Sequence, residues 1–289
     1  MYPAAFEYHR AATVDEALGL LWQYGDDGKL IAGGHSLLPV MKLRFARPAH
    51  LIDIRRVPEL AGIREEDGAL RIGATTTHAA VAASDVIRHR VPMLAEAAGR
   101  IADAQVRNMG TIGGSLAHAD PAADLPAVTL ALDAELRAVG RRGPRTIRVD
   151  EFFTGMFSSA LTSDEVLVEV RIPLPPELTG SAYEKYPDPA SGYAVVGVAA
   201  MVTLRADGVV QRARVAMTGY ASYAGRLTAV EETLTGSAAT AEHIEAAAGR
   251  AVEGLEPRDG SGGNAAHTAN LVAVYARRAL TRAAARARG

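Results

Sequence analysis

The first stretch of the chain alternates apolar and polar residues with a helical period. Thr13-Val14-Asp15-Glu16 reads as a capping box, where the threonine hydroxyl and the glutamate carboxylate each accept a backbone N–H at a helix start. Val14, Ala17, Leu18 and Leu21 then share one face, and Gly25 stops the run. Residues 29–32 form a short strand that leads into Gly33-Gly34. Ser36 is placed to cap a second helix through Leu37, Val40, Met41 and Leu43, and residues 51–54 return to strand. Residues 1–60 thus predict a small α/β unit with a glycine loop between a strand and a helix.

The pattern continues with a strand at 69–73, a short helix capped by Thr77, and a longer helix over 92–102. From 105 to 125 no period is visible and turn formers dominate. This segment reads as a loop, and loops of that length in a compact chain are usually functional or disordered. Strands follow at 134–139, 146–149 and 166–172. Pro173-Leu174-Pro175-Pro176 reads as a linker, because proline stiffens a connection and cannot join a ladder. Beyond it, apolar runs at 195–204 and 209–217 flank Asp207-Gly208, a hairpin signal. Helices are expected over 226–234, 241–252 and from 265 onward. The division is therefore 1–60, 61–176 and 177–289, the last part having the strands-then-helices order of an α+β domain.

Composition narrows the function classes. The chain has 289 residues, 48% of them apolar, and a net charge of −2. That balance gives no basic field for nucleic acid or an anionic membrane. There is no cysteine, so disulfides, thiolate zinc sites and cysteine-ligated iron–sulfur clusters are excluded from this chain. The N-terminal residues show no secretory signal, and no apolar stretch is long enough to span a bilayer. The eight histidines show no metal-ligand spacing, and no metal site is expected.

Two segments carry candidate chemistry: Ala32-Gly33-Gly34-His35-Ser36 and Thr111-Ile112-Gly113-Gly114-Ser115. Glycine lets backbone N–H groups approach phosphate oxygens closely and tolerates positive φ, and successive amides make an anion-binding nest. Each pair alone reads equally well as a tight turn. Their pairing within one half of the chain favours a bound diphosphate. Competing motifs fail: there is no P-loop lysine, and Gly260-Ser261-Gly262-Gly263-Asn264-Ala265 follows turn chemistry where a dinucleotide fingerprint requires a strand. Asp120-Pro121 reads as a turn start and Asp124 as a helix cap, while both carboxylates also suit ribose or ribityl hydroxyls. His35 reads as a loop hydrogen-bonder. Tyr183, Lys185, Tyr186 and Tyr193 read most simply as strand tyrosines and a solvated lysine.

With these segments the sequence resembles the FAD-binding medium subunits of molybdenum hydroxylases, the xanthine dehydrogenase family, and within it the aerobic carbon monoxide dehydrogenase branch. The resemblance rests on 32–37, Leu-Ile-Asp-Ile at 51–54, the block at 107–116, Asp120-Pro121-Ala122-Ala123-Asp124-Leu125-Pro126, Glu151-Phe152-Phe153, and 183–194. It implies an α+β chain: a two-subdomain α/β FAD-binding fold of the vanillyl-alcohol-oxidase-like (PCMH) type, then a C-terminal α+β domain with a small antiparallel sheet and helices. It implies non-covalent FAD held by Ala32, Gly33, Gly34, His35, Ser36, Leu37, Thr111, Ile112, Gly113, Gly114, Ser115, Asp120, Asp124 and Lys185, with Tyr193 near the flavin ring. Molybdenum cofactor is implied on a large partner subunit and [2Fe-2S] clusters on a small one, in a dimer of heterotrimers. Electrons would pass through FAD to a quinone or other acceptor. A cytoplasmic location follows, at the inner membrane face where the complex attaches there. Gly192-Tyr193 departs from the acidic-aromatic pair of many relatives, and Ala266-His267-Thr268 from an aromatic-basic pair. Two other readings stand beside this one: a self-contained covalent-flavin oxidase linked through His35, for which the chain is short, and a nucleotide-binding assembly subunit without redox turnover.

Overall fold

The computed structural model describes residues 1–258 and 265–289. Residues 260–264, part of the glycine-rich segment set aside above as no dinucleotide fingerprint, lie outside the described residues. The chain begins with three short parallel strands in the order Glu7–Arg10, His50–Asp53, Gly28–Ile31. Helix Val14–Tyr24 packs on them. Thr13 Oγ1 accepts the Glu16 N–H at 3.1 Å, and the Glu16 carboxylate reaches back to the Ala12 N–H at 2.7 Å. The capping box therefore forms, displaced by one residue at its return bond. Ala17, Leu18 and Leu21 meet Ile52 and Leu60, and this small core runs on into Val166 and Val168.

Those two valines open strand Val166–Pro173, the centre of a five-stranded antiparallel sheet. Its order is Ile63–Glu66, Ala69–Gly73, Val166–Pro173, Glu135–Gly140, Gly143–Arg148. One strand thus serves the cores of both the first and the second unit. Pro173 is its last residue, and Leu174 N–H donates to Gly68 O at 2.9 Å, so the start of the proline segment is still tied to the turn between the sheet's first two strands.

The segment from 105 to 125, expected as a loop, is largely helical. Ala104–Met109 is capped by Asp103, Ile112–His118 is capped by Thr111, and Asp124–Ala131 follows. The first two span fewer than eight residues each, too short to display a period. All eight residues of the third are buried, so it has no polar face for a pattern to reveal.

The last part is a four-stranded antiparallel sheet, Thr179–Pro187, Ala194–Leu204, Val210–Thr218, Gly225–Arg226. The Asp207-Gly208 turn is present, with Gly208 at φ 80°. Helix Ala265–Ala287 lies across the first two of these strands, burying Val272, Ala276, Leu280 and Ala283. The strand Thr179–Pro187 lacks alternation because helix Ala265–Ala287 and helix Pro92–Gly99 both pack against it. No helix among the described residues is long and apolar enough to cross a membrane.

Gly180 is where that last helix comes closest to the sheet. A Cβ there would lie 2.0 Å from Ala283 O and 2.5 Å from Ala287 N, so backbone would have to move. Gly180→Val is expected to destabilise the chain by about 3 kcal/mol, at the upper end of ordinary overpacking costs, measured by urea unfolding. A loss below about 1 kcal/mol would show that the helix seats elsewhere.

Candidate functional site

Both glycine loops line one cleft of ≈ 870 Å³ between the first sheet, the Thr111 region and the 191–193 turn. The first loop leaves strand Gly28–Ile31 and enters the short helix Leu37–Lys42. Gly34 sits at φ 75°, which L side chains rarely adopt. Gly33 has a different duty. A Cβ there would lie 2.4 Å from Met109 O and 2.7 Å from Gly110 Cα, so the first loop is pressed against the backbone that starts the second.

The second loop is seated just as closely. Ile112 N–H donates to Thr76 O at 3.0 Å and Gly113 N–H to Ala74 O at 2.8 Å. A Cβ on Gly113 would be 2.5 Å from Ala74 Cβ. Gly114 N–H is taken by the capping hydroxyl of Thr111 at 3.1 Å. A Cβ on Gly114 would meet only that hydroxyl, at 2.8 Å, and otherwise enters the cleft. The reading of both loops as amide nests therefore needs correction: the second loop's amides at 112–114 are already bonded inside the protein. The first loop supplies the free ones. Among the described residues, nothing accepts from the backbone N–H groups of Gly33, Gly34, His35, Ser36 and Leu37. Ser36 precedes the helix without a side-chain cap bond, leaving its hydroxyl uncommitted too. His35 Nδ1 is 2.8 Å from Gly33 O, so the ring hydrogen-bonds its own loop, as expected.

Asp120 makes the expected turn, its Oδ1 accepting Ala122 N–H at 2.8 Å, and it lines the cleft. Asp124 does not cap its helix. It is the first helical residue, 5% exposed, and its carboxylate accepts from Tyr183 Oη at 2.5 Å and from Lys185 Nζ at 2.9 Å. Lys185 also donates to Arg100 O at 3.2 Å. Burial raises the Asp124 carboxyl above its usual range, against the pull of the Lys185 ammonium and the Tyr183 hydroxyl. The Tyr183 phenol is pushed well above its ordinary value by burial and by the Asp124 charge.

Lys185 is thus buried, not solvated, and it stands behind Asp124 without reaching the cleft wall. Ile112 is likewise absent from the wall, because it packs into the core of the second unit. Ala32, Gly33, Gly34, His35, Ser36, Leu37, Thr111, Gly113, Gly114, Ser115, Asp120, Asp124 and Tyr193 all line it. Tyr193 is presented by a tight turn in which Asp188 Oδ1 accepts from Ala190 N–H, Ser191 N–H and Ser191 Oγ. Its hydroxyl is held above the ordinary tyrosine value by burial and by Asp120 and Asp124.

The sequence singles out only part of the wall, and two of the other stretches carry buried or paired titratable groups. The first is 157–165, where Glu165 accepts from Arg145 at 2.6 and 2.8 Å and is held down to about 2, chiefly by that bond. The second is His78, just after Thr77. It is 5% exposed, presses against Gly110, and its Nδ1 has no partner. Burial lowers it to about 4, with His35 adding to the shift. The Thr77 cap signal was visible in the sequence, but the bridge that carries it to Thr111 was not.

A cleft walled by two abutting glycine loops, one with free consecutive amides, under a buried carboxylate, is the site of a nucleotide-diphosphate cofactor protein. Comparison with known proteins identifies which. Residues 4–175 match the FAD binding domain in molybdopterin dehydrogenase, and residues 181–283 match the CO dehydrogenase flavoprotein C-terminal domain. The carbon monoxide dehydrogenase medium chain of Hydrogenophaga pseudoflava is 45% identical over 99% of both chains. The 6-hydroxypseudooxynicotine dehydrogenase complex subunit alpha of Paenarthrobacter nicotinovorans is 43% identical over 100% of this chain and 97% of its own. A solved structure of the Hydrogenophaga pseudoflava carbon monoxide dehydrogenase superposes with a TM-score of 0.95 at 46% identity, covering 99% of each chain. The chain belongs to the FAD-binding medium subunits of the molybdenum hydroxylases.

Two measurements probe this architecture. His78 has a folded pKa near 4 against 6.5 when unfolded, so its contribution is full above pH 6.5 and is lost as pH falls toward 4. The difference corresponds to about 3 kcal/mol. Melting curves across that window should flatten in His78→Leu; an unchanged pH dependence would show that His78 does not set it. Lys185→Met strands the Asp124 carboxylate and should cost about 3–5 kcal/mol in urea unfolding. Wild-type stability in that variant would mean the pair does not hold the site.

Proposed function

We propose that the cleft binds FAD non-covalently, with its diphosphate on the Gly33–Leu37 amides and its ring toward Tyr193, and that the chain relays electrons within a carbon monoxide dehydrogenase-type complex. The run of five amides at 33–37, unpartnered among the described residues and lining the same cleft as Gly114, carries this reading. Such amides bind a diphosphate through hydrogen bonds to charged oxygens, stronger than those to neutral acceptors. The fit extends along the wall. Gly114 leaves room where a side chain would stand, and the remaining Asp120 oxygen suits a ribose or ribityl hydroxyl. Asp124 is fixed by Lys185 and Tyr183, so Lys185 acts as a positioning residue for a carboxylate at the cofactor. The Tyr193 hydroxyl stays protonated and can donate.

Bound FAD supplies the redox chemistry. This chain's residues hold it and tune its surroundings. The chain has no cysteine, which supports placing [2Fe-2S] clusters on a small partner and molybdenum cofactor on a large one, and the named relatives are a medium chain and a complex subunit. We read the assembly as a dimer of heterotrimers in the cytoplasm, attached at the inner membrane face through the complex, with a quinone or other final acceptor. Carbon monoxide is the first substrate to try, because the 45%-identical relative is named for it.

Gly114→Val should lose most of its FAD while keeping the wild-type circular dichroism. Full retention of FAD would overturn the placement of the second loop. Acid precipitation of the wild type should leave the yellow colour in the supernatant; colour held in the pellet would favour the covalent-flavin reading through His35. Carbon monoxide given to the assembled complex should bleach the visible flavin band. A flavin that no substrate of the complex reduces would favour the non-redox reading.

A further inference from the structure

The first sheet brings together three side chains that do not line the cleft. Glu7 and His50 are register partners in the parallel pairing of Glu7–Arg10 with His50–Asp53. His9 lies two residues beyond Glu7, on the same face of its strand. His9 Nε2 is 3.1 Å from His50 Nδ1, Glu7 Oε2 is 3.5 Å from that same Nδ1, and it is 3.8 Å from that same Nε2. A point in the plane of these three atoms lies about 2.0 Å from each, which is the zinc–nitrogen and zinc–oxygen bond length.

The rings are also held from behind. Tyr24 stacks on His50 with centroids 3.7 Å apart and planes at 12°, and on His9 at 4.9 Å and 29°. One aromatic face therefore fixes both imidazoles with their nitrogens converging. Two imidazole nitrogens and one carboxylate oxygen suit Zn²⁺ and its neighbours in the transition series. They do not suit Ca²⁺ or Mg²⁺, which take oxygen ligands. Three protein ligands leave a fourth position for water, and the exposure of Glu7 opens that side to solvent.

We propose that Glu7, His9 and His50 form a binding site for a divalent cation of the zinc class, which pins the N-terminal strand to the sheet. That strand is short, lies at the sheet edge, and exposes three of its four residues, so burial holds it weakly. A metal bound from residues 7, 9 and 50 would cross-link it to the centre of the sheet and bind only the folded chain, adding stability by linkage.

The test uses the full chain without a histidine tag, stripped with a chelator and then equilibrated with ZnCl₂. Elemental analysis should find a single tightly held zinc that His50→Ala lacks, with equal FAD content in both proteins. Cobalt(II) in its place should give visible d–d bands in the wild type and not in His50→Ala. Glu7→Gln changes only an exposed side chain and should weaken zinc binding by about tenfold or more, since even outer-shell losses cost that much. The wild type should also melt at a higher temperature with zinc than without, a shift that the variants lack. Equal zinc in wild type and both variants would overturn the proposal. So would no retained zinc in the wild type, which would leave the 3.1 Å contact as an imidazole–imidazole hydrogen bond.

Discussion

At Gly33 the first loop meets the Met109–Gly110 backbone with no room for a methyl group, and at Gly113 the second loop meets Ala74 in the same way. These two contacts decide what the rest of the cleft can be. They lock the strand–loop–helix of the first unit against the 104–118 helices of the second. They also direct the Ile112 and Gly113 amides inward, onto Thr76 and Ala74. The first loop then keeps its amides for the cleft. The four glycines of the two motifs thus divide: Gly33 and Gly113 permit close packing, Gly34 permits a left-handed turn, and Gly114 leaves the cleft open. Any side chain at 33 or 113 would separate the loops before it met a ligand.

The third part of the chain shares the apolar core of the second, through Ala199, Met201 and Ala216, and is also tied to this frame by polar contacts. Asp124, at the start of a wholly buried helix, reaches Tyr183 and Lys185 on the first strand of the C-terminal sheet. Thr218 Oγ1 donates to Pro121 O at 2.6 Å, beside the turn that carries Asp120. Beside Tyr183 on that first strand, Arg282 and Arg286 of the last helix converge on Glu96, whose carboxylate also accepts the Tyr183 N–H. Of these, the Asp124–Lys185 pair is buried; such a pair adds little net stability, yet breaking it is costly, so it helps fix the position of the C-terminal sheet. That position brings the 188–193 turn and Tyr193 to the cleft mouth.

Much of this was legible in the sequence, for identifiable reasons. The Thr13 box, the Thr77 cap and the Asp207-Gly208 turn are local devices, and each formed. The two glycine motifs pointed to one ligand because two similar Gly-Gly segments lie in the same half of the chain, and both line one cleft. Where reading failed, the information was non-local. Helix Asp124–Ala131 is buried on all sides and so shows no period. Strand Glu7–Arg10 is polar and short, and it becomes a strand only by pairing with residues more than forty positions away. The same pairing builds the Glu7, His9 and His50 cluster, which no spacing rule could detect. Lys185 read as a surface lysine because its partner, Asp124, lies 61 residues earlier. His78 carried a visible cap before it, but its burial follows from Gly110 pressing on its ring.

In the proposed binding mode the first loop, not the second, donates its amides to the FAD diphosphate. Amide hydrogen exchange of the full chain, followed by mass spectrometry with and without FAD, measures this directly. FAD should slow exchange at 33–37, while 112–114, already bonded within the protein, change little. Exchange at 33–37 that is indifferent to FAD, with new protection confined to 112–114, would contradict it.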